Sequence, residues 1–150
     1  MYSKKLEHVL NKEWVRLVDL DLSLFQFLIA ELGIDVRTVL SSELAMKESN
    51  KQLRLVEMCR MLDCDSFYEG KCGQNYIDAE VFKAHGITVE FQEYKHPYYD
   101  QLWMCEQGFI SHLSIIDLLF NHGPDSLDVL TGRKVIPTPE GVQFRGANDL

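Results

Sequence analysis

The sequence predicts a small α/β fold with a parallel sheet, and three observations carry that expectation. Segments of helical periodicity alternate with short β-branched or strictly alternating segments. Gly33, Gly86 and Gly123 each follow a helical pattern, where glycine accepts the left-handed conformation that ends a helix. Finally, the candidate strands are separated by helices instead of hairpin turns, so they run parallel with right-handed crossovers.

The elements follow in order. Asp19 or Asp21 N-caps a first long helix that ends at Gly33. Leu20, Leu24, Phe27, Leu28 and Leu32 lie at helical spacing, and Leu22, Phe25 and Ile29 make the helix apolar nearly all round. Such a helix is expected to be buried. Val36–Leu40 reads as a strand because Val36, Thr38 and Val39 are β-branched. Ser49 or Asn50 caps a second helix with Leu55, Val56, Cys59 and Leu62 on its core side. A short extended segment, Asp65–Glu69, leads into Gly70-x-x-Gly73. A third helix starts near Asn75, with Asp78 at its third position, and stops at Gly86. Ile87, Val89 and Phe91 alternate with Thr88, Glu90 and Gln92, the clearest strand pattern of the chain. Tyr94–Gln101 (YKHPYYDQ) is a proline-bearing aromatic loop. Ser111 or Ser114 opens a last strong helix ending at Gly123-Pro124, and Asp125-Ser126 starts one more turn to Leu130. Residues 133–150 carry two prolines and two glycines without periodicity, and read as an irregular or flexible tail. The arrangement is a Rossmann-like three-layer one, and three strands leave the sheet looking incomplete.

Composition narrows the function. The 150 residues carry a net charge of −8, which argues against nucleic-acid binding, where phosphate neutralisation dominates affinity. Residues 1–16 are locally basic and residues 57–106 strongly acidic, a pattern that solvated faces also produce. No apolar run is long enough to span a membrane. The opening MYSKKLEHVL lacks the apolar core and cleavage site of a secretory signal, so the protein is expected in the cytoplasm with reduced cysteines.

Several polar groups are candidates for a site. Gly70 and Gly73 lie between a strand and a helix, where free backbone N–H groups can hold a phosphate, or where a plain tight turn suffices. Ser41 and Ser42 occupy the corresponding exit of the first strand, on the edge where open parallel sheets collect ligands. Ser114, Asp117 and Asn121 form a narrow polar stripe on an otherwise apolar helix, facing either structural partners or a ligand. His96, beside Tyr98, Tyr99 and Gln101, is the imidazole best placed for proton transfer near neutrality, although a loop histidine before proline is also an ordinary surface residue. His112 and His122 are spread around the last helix, and the cysteines lack a C-x-x-C pair, so neither zinc nor a Cys72 nucleophile is favoured.

Together these landmarks resemble the C-terminal half of the WbqC-like family. They are Ser41-Ser42, Gly70, Gly73, Tyr76, Phe82, Gly86, His96-Pro97-x-Tyr-x-x-Gln101, and Ser114-x-x-Asp117 with Asn121 and Gly123. The resemblance spans roughly residues 15–130, so residues 1–132 are expected to form the C-terminal part of a WbqC-like α/β domain. It implies a role in bacterial surface-polysaccharide (O-antigen) biosynthesis, as a transferase attaching an acyl or aminoacyl (glycyl) group to a nucleotide-linked amino sugar. In that setting His96 is the proton acceptor, while Ser41, Ser42, Gly70, Gly73, Tyr76, Tyr98, Gln101, Ser114, Asp117 and Asn121 bind ligand. No metal is implied and no cofactor is assigned. The family's opening Gln-Pro-x-Tyr-x-Pro-Trp-like segment is absent, which makes a truncated, non-catalytic remnant or a binding subunit with a partner chain the alternative expectation.

Overall fold

The computed structural model describes residues 2–142 and 144–145. The chain divides into two compact units, one made of Met1–Val36 with His96–Leu150 and the other of Arg37–Lys95.

The Arg37–Lys95 unit is a βαβ arrangement with a helix before it. Helix α3 (Lys51–Met61) is capped by Asn50, whose side chain accepts from the backbone N–H groups of Gln52 and Leu53. Strand β1 (Ser66–Glu69) pairs in parallel with β2 (Thr88–Phe91), in the register Phe67 to Val89 and Glu69 to Phe91. Between them lie a 3-10 turn, Lys71–Asn75, and the short helix α4 (Ala79–Lys83). Val56, Cys59, Ile77, Phe82 and Ile87 form the core, with Leu55, Phe67, Val81, Val89 and Phe91 packed around it. Phe67 stacks on Phe82 at 5.1 Å between ring centroids.

The other unit holds α1 (Tyr2–Leu10), α2 (Leu17–Glu31), α5 (Met104–Gln107), β3 (Phe109–Ile110), α6 (Ile115–His122), α7 (Ser126–Leu130) and β4 (Phe144–Arg145). Its core is Tyr98, Tyr99, Phe109, Leu118 and Val129, flanked by Met104, Ile115, Leu130, Ile136 and Val142. Strands β3 and β4 pair in parallel, Phe109 with Phe144 and Ile110 with Arg145. Lys5 bridges to Glu31 at 2.5 Å, tying α1 to α2.

The small parallel α/β class is what the structure shows, but several elements differ from expectation. The described strands form two separate two-stranded sheets instead of one three-stranded sheet. Val36–Leu40 has no regular secondary structure and joins no ladder among the described residues, although Leu40 itself is extended. β-Branching favours an extended backbone and does not by itself supply a pairing partner. Helix α2 begins one turn earlier than the acidic caps implied. Arg16 occupies the cap position, and its guanidinium grips Asp19 in the first turn at 2.7 and 2.9 Å. None of its residues is buried, against the expectation from its apolar sequence. Lys71–Asn75 turns as a 3-10 segment after Gly70, so the third helix starts at Ala79 and Asp78 is its N-cap, accepting from Glu80 N–H at 3.0 Å. Within the stretch read as a tail, residues 135–139 are irregular, yet Ile136 and Val142 pack on the core and Phe144–Arg145 form a strand. Residues 143 and 146–150 of that stretch lie outside the described residues.

Candidate functional site

The sequence candidates fall into both units, and each group is described by itself. In the Arg37–Lys95 unit, Ser41 and Ser42 lie in an exposed 3-10 turn, Ser41–Glu43, with the Ser41 carbonyl accepting from Leu44 N–H. The glycine turn is largely satisfied from within. Gly70 N–H donates to the Glu69 carboxylate at 3.0 Å, and Gly73 N–H donates to the Gly70 carbonyl at 2.8 Å. The Glu69 side chain thus occupies the Gly70 N–H that an external anion would use, as a plain tight turn requires, and burial together with this carboxylate raises the Tyr76 phenol above its usual range. Gly73 is buried, and a Cβ there would collide with Cγ of Glu69 and press Phe91 at 3.2 Å. Close packing against Glu69 is therefore a sufficient reason for glycine at this position.

The other candidates share the second unit, where they form a hydrogen-bonded lattice around α6. Ser114 caps α6 by accepting from Ile116 N–H at 3.3 Å. The Tyr99 hydroxyl, on a side chain only 1% exposed, donates to Asp117 Oδ2 at 2.9 Å. Asn121 Nδ2 donates to the Asp117 carbonyl, while its Oδ1 accepts from Leu102 N–H at 3.1 Å. Gln101 spans Ile110 like a third strand residue, donating to its carbonyl at 2.7 Å and accepting from its N–H at 2.9 Å. Tyr98 is buried with its hydroxyl on Met104 Sδ. Asp117 and Asn121 of the α6 polar stripe therefore hold the segment Tyr99–Leu102.

What that lattice positions is a set of imidazoles. His96 is half-buried, with ring centroids 5.8 Å from Tyr99, 5.8 Å from Phe109 and 4.9 Å from His112. Burial pushes the His96 imidazole below the ordinary histidine range; a hydrogen bond to the Pro97 backbone opposes that shift and His112 reinforces it. At neutral pH the ring is therefore a neutral base. Helix α6 starts at Ile115, so His112 belongs to the turn before it and not to its surface. There His112 has φ +62°, a left-handed conformation uncommon for histidine, and its Nδ1 lies 2.9 Å from Ser111 Oγ. His122 closes the helix and meets Tyr99 edge-on at 5.7 Å; its Nε2 is buried without a hydrogen-bond partner among the described residues. Helical spacing alone could not find the His96–His112 contact, because it depends on where α6 begins. A cleft of 480 Å³ lies in the same unit, lined by residues 104–108, 139–142 and Arg145. No group of three His, Cys, Asp or Glu residues able to hold a metal occurs among the described residues. No helix among them is long and apolar enough to cross a membrane.

The described residues thus place a half-buried imidazole beside a second imidazole on a small parallel α/β scaffold. The chain belongs to the WbqC-like protein family, whose model matches residues 1–129. It is 30% identical over 122 residues to the uncharacterized protein Rv1507c of Mycobacterium tuberculosis (strain ATCC 25618 / H37Rv), a match covering 81% of this chain and 51% of that relative. The chain thus spans about half the length of the curated relative it matches. No solved structure matches it.

Proposed function

We propose that the protein acts in bacterial surface-polysaccharide biosynthesis as an N-acyltransferase, with a nucleotide-linked amino sugar as acceptor. The observation that carries this reading is His96, a base held neutral by burial next to a second imidazole. A sugar ammonium cannot attack a carbonyl until it loses a proton. That first proton passes to solvent and the neutral amine attacks the activated acyl carbon; as the C–N bond forms and the bond to the donor's leaving group breaks, His96 takes the second N–H proton. The imidazolium then returns its proton to the leaving group. The cleft that shares Arg145 with the strand beside the Ser111–His112 turn offers room for one substrate. The test is incubation of the protein with a nucleotide-linked amino sugar and an acyl thioester, followed by mass spectrometry. A product heavier by one acyl group supports the reading, and unchanged sugar with every acyl donor tried overturns it.

A second reading is a binding subunit that works with a partner chain, and α2 favours it. Leu17, Val18 and Phe25 are 72%, 49% and 46% exposed on a helix whose sequence is apolar nearly all round. Light scattering of the purified protein decides this reading. A monodisperse monomer that turns over substrate unaided contradicts it.

A further inference from the structure

We propose that Cys59 and Cys64 are a thiol oxidation site: a hydroperoxide converts them to a disulfide across the C-terminal end of α3, and a thiol reductant restores both. The inference concerns the Arg37–Lys95 unit alone and stands apart from the transferase reading.

The way α3 ends brings the two cysteines together. Leu62 caps the helix, and Asp63 follows in the left-handed conformation at φ +56°. Asp63 N–H donates to the Arg60 carbonyl at 3.2 Å, and Cys64 N–H reaches back to the Cys59 carbonyl at 2.8 Å. These two bonds make a Schellman motif, in which the side chains of the residues joined by the longer-range bond commonly pack together. Here both of those residues are cysteines. Standard bond lengths on either side of the 2.8 Å bond keep their Cα atoms within about 7 Å, the separation beyond which a disulfide needs backbone movement. Cys64 Sγ lies 3.6 Å from the Leu62 carbonyl oxygen, so its thiol rests on the helix end.

Access divides the roles. Cys64 is exposed, whereas Cys59 belongs to the core cluster of Val56, Ile77, Phe82 and Ile87. Burial pushes the Cys59 thiol up, and the nearby Cys64 adds to that shift. The oxidant therefore meets Cys64 first. The Cys64 thiolate attacks one oxygen of hydrogen peroxide; the S–O bond forms, the O–O bond breaks, and the displaced hydroxide takes up a proton and leaves as water. The Cys59 sulfur then attacks Sγ of the Cys64 sulfenic acid. The S–S bond forms as the S–O bond breaks, and the departing hydroxide takes the Cys59 thiol proton to leave as a second water. Two thiols are oxidised and one peroxide is reduced. The new bond ties the end of α3 to the residues that lead into β1.

The test treats the folded protein with hydrogen peroxide, blocks the remaining thiols with an alkylating agent in urea, and maps tryptic peptides by mass spectrometry. Trypsin cuts after Arg60 and Lys71, so the disulfide joins the peptide ending at Arg60 to the one running from Met61 to Lys71. The expected result is that linked pair, lost again on treatment with dithiothreitol. In Cys59→Ser the Cys64 sulfenic acid has no second thiol to meet, and dimedone traps it. Cys59 recovered as the alkylated thiol from peroxide-treated wild-type protein overturns the proposal, whatever the state of Cys64. Linkage of Cys59 or Cys64 to Cys72 or Cys105 in place of each other also overturns it. The wild-type peptide map decides by itself, so a variant that fails to fold does not shield the proposal, and no outcome depends on sugar acylation.

Discussion

Tyr99 and Asp117 join the aromatic loop to α6 through one hydrogen bond of 2.9 Å, with the tyrosine side chain almost wholly enclosed. The bond does two things. It satisfies a phenolic hydroxyl that burial would otherwise orphan, and it sets the ring against which His96 packs at 5.8 Å. Tyr99→Phe removes only the hydroxyl. The expected result is a loss of about 1–3 kcal/mol in urea unfolding, the usual cost when a charged acceptor loses its buried donor.

Gln101 offers a sharper test of how the loop is held. Its amide satisfies both the N–H and the carbonyl of Ile110, a buried residue of β3. Gln101→Leu keeps much of the volume but strands two backbone groups, at about 1–3 kcal/mol each. Hydrogen exchange at the Ile110 amide should accelerate in the same variant, whereas a change on the protein surface would leave it slow.

In the other unit, Gly73 is the position least able to accept a side chain. Gly73→Ala forces the new methyl into Glu69 and Phe91. Overpacking of this kind costs about 1–3 kcal/mol, read as a lower denaturation midpoint. A variant of wild-type stability would mean that the Glu69 side chain moves aside freely and that the turn is less tightly built than described.

The sequence and the structure agree best where local chemistry decides. The alternation of Ile87, Val89 and Phe91 and the Asn50 cap both depend on near neighbours, and both recur in the structure. Val36–Leu40 shows the limit: an extended preference is local, but a ladder needs a partner that no pattern within the segment specifies. The same holds for the candidate residues. Tyr98, Gln101, Asp117 and Asn121 were visible as an ordered polar and aromatic set, but their bonds to Met104, Ile110, Tyr99 and Leu102 join separate segments and could not be read from spacing. His112 was hidden because the start of α6, three residues later, turns on the Ser114 cap.

Stability should carry the mark of His96. Its folded-state pKa is lowered by burial, so between that value and the unfolded value of about 6.5 the unfolded chain binds more protons. The contribution is therefore complete above about pH 6.5 and is lost as the pH falls through the window beneath it. Urea midpoints measured at falling pH should drop across that window in the wild type. The His96 part of the drop should be absent in His96→Gln.

The most direct measurement is the rate of sugar N-acylation by wild-type protein and by His96→Gln, compared at pH 7 with saturating substrates. The account predicts that the variant, folded as judged by circular dichroism, loses about 100-fold or more, the range expected when a general base is removed. Equal rates in the two proteins would contradict it and remove His96 from the chemistry.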